Sequence, residues 1–193
     1  MFDQLLQLDH QLFLEINQRL ANPFFDWVMP LFRNRYFWAP LYLFLIVFLV
    51  RNYNKYGWIC IIFLLITFAI SDFVSASMVK PLFERLRPCN APDFKEEVRS
   101  LISCGSGFSF PSSHATNHFA IAVFLIVVFY HRWKPILPLA LGWAFCVAFA
   151  QVYVGVHFPI DVTTGALLGS VVGYITGSTF LTLYTKQIWN TGN

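Results

Sequence analysis

The pattern of apolar and polar positions changes its period along this chain. Phe2–Leu20 places apolar residues at Phe2, Leu5, Leu6, Leu8, Leu12, Phe13, Leu14, Ile16 and Leu20, with polar residues in the gaps. That spacing predicts an amphipathic helix lying on a membrane surface rather than crossing it. Asn22-Pro23 breaks it. Phe24–Phe32 is a short apolar run holding Asp26 and closed by Arg33-Asn34-Arg35; it reads as an interfacial or partly inserted helix. From Tyr36 onward, helical periodicity gives way to continuous apolar runs: Tyr36–Val50, Tyr56–Val79, Ser113–Tyr130, Pro135–Val154 and Val162–Tyr184. With their flanks these approach the ~20 residues that cross a bilayer as helix. The last is rich in Gly, Ala, Ser and Thr, which let membrane helices pack closely.

The punctuation between the runs is uneven. Arg51–Lys55 and His131–Lys134 are tight polar turns. Lys80–Phe110 is a long polar connection in which Asp93–Ile102 is expected to form a short helix, and Val156–Asp161 is a brief break. Counting crossings puts the two tight turns on one side of the membrane. The long connection and the break, with nearly all the chemically versatile residues, fall on the other. The predicted fold is therefore all-α: a polytopic membrane bundle of about five to six transmembrane helices with an N-terminal amphipathic helix. It is read as one domain over residues 1–193, with an interfacial segment 1–35 and a helical core 36–186.

Composition agrees. The chain is 57% hydrophobic and only 12% charged, about half the charge of a soluble domain. A net charge of +3 does not suggest a nucleic-acid partner. Met1–Asn22 is too polar and mixed in charge for a cleavable signal peptide.

Three polar clusters converge on the same side. In Lys80-Pro-Leu-Phe-Glu-Arg-Leu-Arg87-Pro88, Lys80 and Arg87 are seven apart and share a helix face. They read either as snorkelling anchors or as a phosphate clamp. In Pro111-Ser112-Ser113-His114, serine starts a helix whose N-terminal amides and dipole favour an anion. In Gln151-Val-Tyr-Val-Gly-Val-His157-Phe-Pro-Ile-Asp161, the four-residue spacing lets Asp161 accept from one imidazole nitrogen. The other nitrogen is then free as nucleophile or base. Together they describe a phosphoryl-transfer site.

These three motifs, in this order over residues 80–161, resemble the type 2 phosphatidic acid phosphatase superfamily, which also includes glucose-6-phosphatase and the vanadium haloperoxidases. The resemblance implies a metal-independent hydrolase without a cofactor. In it His157 attacks phosphorus, Asp161 orients His157, and His114 protonates the leaving oxygen. Lys80, Arg87, Ser112 and the amide of Ser113 hold the phosphate. It implies a membrane lipid phosphate or pyrophosphate as substrate, such as undecaprenyl pyrophosphate, phosphatidylglycerol phosphate, phosphatidic acid or lipid A. It also implies a bacterial inner-membrane location with the site on the extracytoplasmic side. Two positions depart from the family. Ser113 stands where glycine is usual. Ala150-Gln151 stands where Ser-Arg is usual, so Gln151 takes the place of a phosphate-binding arginine and offers only a neutral hydrogen bond.

Rival readings are a non-catalytic anion- or lipid-binding membrane protein or transporter, and a zinc hydrolase using His114 and His118 with His157 and Asp161. Basic residues do not set the orientation. Arg51, Lys55, Arg132, Lys134 and Lys186 on one side balance Arg33, Arg35, Arg85, Lys95 and Arg99 on the other, once Lys80 and Arg87 are set aside as ligands. Cys89 and Cys104 both fall in the long connection and are expected to form a disulfide there. Cys60 and Cys146 fall within spans, where packing is expected.

Overall fold

The computed structural model describes residues 2–189, and the side chains of residues 3–185. Met1, residues 190–193 and the side chain of Lys186 lie outside the described residues. All regular structure among them is helical: α1 Phe2–Leu14, α2 Pro23–Arg33, α3 Ala39–Asp72, α4 Lys80–Phe83, α5 Ser113–Phe129, α6 Ile136–Tyr153 and α7 Pro159–Trp189. Short π segments, Glu15–Arg19 and Phe73–Val79, extend α1 and join α3 to α4.

The stretch Ala39–Phe83, together with Ile136–Tyr153 and Pro159–Thr185, is long and apolar enough to cross a membrane, while Ser113–Phe129 is apolar but shorter. The 45 residues of the first stretch are twice what one crossing needs. The helix breaks at Asn54, whose backbone turns to φ 51°. There the two arms fold together so closely that a Cβ on Gly57 would lie 2.1 Å from the Leu49 carbonyl oxygen. The expected turn at Arg51–Lys55 is this reversal.

The bundle is an integral membrane protein turned inside out by aqueous standards. Large apolar side chains face outward: Phe44 is 64% exposed, Leu65 63% and Leu167 66%. Small ones fill the interior, including Ala115, Ala120, Ala122, Ala144 and Ala150. In lipid, packing rather than hydrophobicity holds helices together, and α5 against α7 is the tightest case. Gly165, Gly169 and Gly173 lie one turn apart on α7. A Cβ on them would meet the Ser112, Thr116 and Ala120 carbonyl oxygens at 2.6, 2.0 and 2.2 Å. Buried hydrogen bonds add register: Thr67 Oγ1 donates to Thr176 Oγ1 at 2.8 Å, and Ser71 Oγ to Asn117 Oδ1 at 2.7 Å. Each is worth about 0.6 kcal/mol in a membrane.

Two expectations are revised. The sequence places α1 flat on the membrane, and Leu5, Leu8 and Leu12 are indeed exposed. However, Asp9, Phe13 and Asn17, spaced by four, turn inward and are buried. Phe13 and His10 pack on Phe94 and Phe158, so α1 covers the loop that precedes α7. The helix expected within Asp93–Ile102 is only a 3-10 turn at Lys95–Glu97.

Candidate functional site

The long connection folds back on itself. Ser109 N donates to the Arg85 carbonyl at 2.8 Å, and Ser109 Oγ donates to the Leu86 carbonyl at 3.0 Å. Asn90 Nδ2 reaches the Gly105 carbonyl, and Cys89 and Cys104 form the expected disulfide with Cα atoms 6.0 Å apart. The segment around Arg87 is thereby clamped beside the approach to α5.

At the start of α5, Ser112 is the N-cap, its Oγ accepting from the Ala115 amide at 3.5 Å. The other first-turn amides, those of Ser113 and His114 among them, have no acceptor within the helix. Ser112 N donates to the Asp161 carbonyl at 2.9 Å, so the first turns of α5 and α7 are tied together. Ser113 Oγ accepts from Ser75 Oγ at 3.1 Å.

The break before α7 depends on Gly155, at φ +90°, where a Cβ would also meet Val98 Cγ1 at 2.9 Å. Only glycine takes this conformation without cost. The reversal it permits lets the amides of Val156 and His157 both donate to the Gln151 carbonyl at 3.2 Å. His157 is 2% exposed and Asp161 0%. The His157 Nδ1 to Asp161 Oδ2 distance is 3.5 Å, longer than a formed hydrogen bond, and Nδ1 has no hydrogen-bond partner among the described residues. Burial pushes the His157 imidazole down to about 4, against the raising effect of Asp161 and with smaller lowering effects from Arg87 and Lys80. The ring is neutral at physiological pH, as a nucleophile must be.

Asp161 is itself held from three sides. Its Oδ2 accepts from the Phe158 amide at 2.9 Å, and its Oδ1 from Arg85 Nη1 at 2.7 Å. Arg85 Nη2 in turn reaches Asp9 Oδ2 at 2.6 Å, and Asp9 Oδ1 accepts from the Ile160 amide at 2.8 Å. The Arg85 guanidinium lies 4.1 Å from the centre of the Phe158 ring. Asp9 is not among the residues singled out from sequence, and Arg85, which the sequence allows as a stand-in for the missing motif arginine, is instead tied to two acids. Asp9 had one available signal, its place on the inward stripe with Phe13 and Asn17.

On the open side, Lys80 Nζ donates to the Phe108 carbonyl and Arg87 Nε to the Gly107 carbonyl, each at 2.9 Å. Arg33, at the end of α2, donates from Nε to Gln151 Oε1 at 3.2 Å. Gln151 is fully buried, and its Nε2 turns back to the Val147 carbonyl at 3.4 Å. Both ends of its amide are thus engaged within the protein. His114 lies in the fields of His118, Arg33, His157 and Lys80. The charged groups of the three motifs therefore lie within one another's fields: Lys80 and Arg87 act on His157, and His157, Lys80 and Arg33 act on His114. His118 points elsewhere: its Nδ1 bonds the His114 carbonyl at 2.8 Å and its ring packs on Trp143. Among the described residues no three His, Cys, Asp or Glu side chains form a metal-binding group.

Comparison with known proteins gives a consistent picture. The family model of the PAP2 superfamily matches residues 57–185. A lipid A 4'-phosphatase of Bacteroides thetaiotaomicron is 33% identical over 178 residues, spanning 91% of this chain and 78% of that protein. The crystal structure of Aquifex aeolicus LpxE superposes with a TM-score of 0.67 at 28% identity, over 86% of this chain and 92% of that one. A transmembrane PAP2-type phosphatidylglycerolphosphate phosphatase from Bacillus subtilis shares the fold, with a TM-score of 0.72 at 22% identity, over 94% of this chain and 88% of that one.

Proposed function

Because the chain belongs to the PAP2 superfamily, we propose that it hydrolyses a membrane lipid phosphate through a phosphohistidine on His157. The observation that carries this reading is the buried, neutral His157 backed by Asp161 and faced by Lys80 and Arg87, which have no acid partner within salt-bridge distance among the described residues. His157 Nε2 attacks phosphorus in line with the lipid oxygen. The P–O bond to the lipid breaks, and His114 gives its proton to the leaving oxygen. Asp161 stabilises the positive charge that develops on the His157 ring, its contact with Nδ1 shortening as the ring becomes cationic. Water, deprotonated by His114, then attacks the phosphohistidine and releases inorganic phosphate. Lys80, Arg87, the Ser112 hydroxyl and the Ser113 amide bind the phosphoryl oxygens. These cations and amides supply the charge stabilisation that phosphoryl transfer needs.

Lipid A 4'-phosphate is the first candidate substrate, supported by the relative that spans 91% of the chain. The site is assigned to the extracytoplasmic side of a bacterial inner membrane, a reading supported by the Cys89–Cys104 disulfide in the connection that carries Arg87. Residues 1–193 act as one unit, since α1 and α2 contribute Asp9 and Arg33 to the site formed by the core.

Phosphate release by purified protein from lipid A, undecaprenyl pyrophosphate, phosphatidylglycerol phosphate and phosphatidic acid tests the function and ranks the substrates. Wild type releases phosphate from at least one of them, and His157→Ala, folded in detergent, from none. An active His157→Ala removes the proposed nucleophile. A wild type inactive on all four leaves the non-catalytic anion-binding reading in its place. His114→Ala is impaired, and less so on substrates with good leaving groups.

A further inference from the structure

Three cations lie close enough to the two motif histidines or to one another to act on them, and each is held by one neutral oxygen. Lys80 is held by the Phe108 carbonyl, Arg87 by the Gly107 carbonyl and Arg33 by the Gln151 side-chain amide. None of the three forms a salt bridge among the described residues. The fourth nearby cation, Arg85, is neutralised twice over, by Asp9 and Asp161. An arginine at a bundle surface ordinarily finds an acid or extends into water. Arg33 instead uses Nε alone to anchor on a fully buried glutamine, and neither Nη nitrogen has an acceptor among the described residues. Half-buried beside another cation, it also experiences a cost: burial and, secondarily, Arg87 lower its pKa. Its field reaches His114. Like charges disfavour one another's charged form, so an anion bound among them stabilises the group.

We propose that Arg33 is a phosphate-contacting residue of this enzyme, and that Gln151 is the positioning residue that aims it. The inference rests on the phosphatase reading above and adds a contact from outside the three motifs. Gln151 stands where the family has arginine and contributes no charge. Arg33 brings a guanidinium to the same place from α2, with Nε spent on Gln151 and the two Nη groups presented as a fork, the geometry that matches two phosphoryl oxygens.

Orthovanadate binding, followed by calorimetry on the detergent-solubilised full-length protein, tests this independently of turnover, alongside kcat/KM on the best lipid substrate. Arg33→Gln is expected to weaken vanadate binding by about 10–100-fold, the range of a lost charged hydrogen bond, and to lower kcat/KM comparably. Arg33→Lys keeps the charge without the fork and falls between. Gln151→Glu keeps the anchor but cancels the charge of Arg33; vanadate affinity falls although the fold and the contact survive, which a purely structural glutamine does not predict. The exchange Arg33→Gln with Gln151→Arg conserves side-chain volume and returns the guanidinium to the pocket, recovering at least tenfold of the loss. If wild type binds vanadate but hydrolyses no lipid, and Arg33→Gln abolishes binding, the assignment of Arg33 stands while the phosphatase reading falls. Unchanged vanadate affinity in Arg33→Gln or Arg33→Lys overturns it, as does a wild type that binds no vanadate.

Discussion

Asp161 would be an expensive residue to bury if it served His157 alone. Its second oxygen is bound by Arg85, and Arg85 is bound by Asp9, so that charge alternates through Asp9, Arg85 and Asp161 and ends at the neutral His157 ring. Removing one member leaves its neighbour underpaired. Asp9→Asn, which keeps the shape but not the charge, is expected to cost about 1–3 kcal/mol of stability and to lower kcat more than it raises KM; chemical unfolding in mild detergent and steady-state kinetics check both. The His157 ring gives a pH signature. It is held near 4 when folded, against 6.5 for an ordinary histidine, so between those values the unfolded chain takes up a proton that the native site refuses. Stability therefore falls as pH drops from 6.5 toward 4 and is insensitive to this group above 6.5. Thermal unfolding across that window should show a slope that is reduced in His157→Gln. These residues were unequally legible. His157, Asp161, His114, Lys80 and Arg87 sit in compact motifs whose spacing displays their chemistry. Asp9 and Arg33 act across 76 and 118 residues of sequence, and to the sequence each is one more charge beside a membrane.

At the level of elements, apolar runs reported the helices well because in lipid length and apolarity decide what can span. They could not report the Asn54 reversal as a contact, nor the inward stripe of α1, because an amphipathic pattern shows that a helix has two faces but not what each one meets. The α5–α7 seam makes a sharper prediction. Gly169→Ala places a methyl 2.0 Å from the Thr116 carbonyl oxygen, backbone that cannot step aside, and should destabilise by about 1–3 kcal/mol or more. It should also disturb the first turn of α5, where Ser112 and His114 sit. Gly142→Ala on α6 has nothing within 4 Å of the new carbon and should be neutral or mildly stabilising, which makes it the matched control in a thermal-shift series. The clamp formed by Cys89 and Cys104 closes a loop of 15 residues, worth about 3 kcal/mol in the chain-entropy model. The double variant Cys89→Ser with Cys104→Ser should lose about that much stability and bind phosphate less tightly. Mass spectrometry of non-reduced, alkylated wild type should find both thiols blocked.

For the molecule as a whole, the family resemblance and the working site do not share the same boundaries. The family match covers residues 57–185, yet α1 supplies the acid that completes the pairing of Arg85, and α2 ends in the guanidinium that faces Arg87. The contact between Arg33 and Gln151 thus ties the region of the family match to α2, which lies outside it. Such a pairing constrains how the gene can change. On the proposed reading an arginine at 151 and one at 33 do the same work, and a chain changing from one to the other by single substitutions passes through a form carrying both or neither. A chimera that joins this core to an N-terminal segment without an arginine at the position of Arg33 would carry neither guanidinium. It should fold, cross the membrane, and hold phosphate poorly until one of the two arginines is restored.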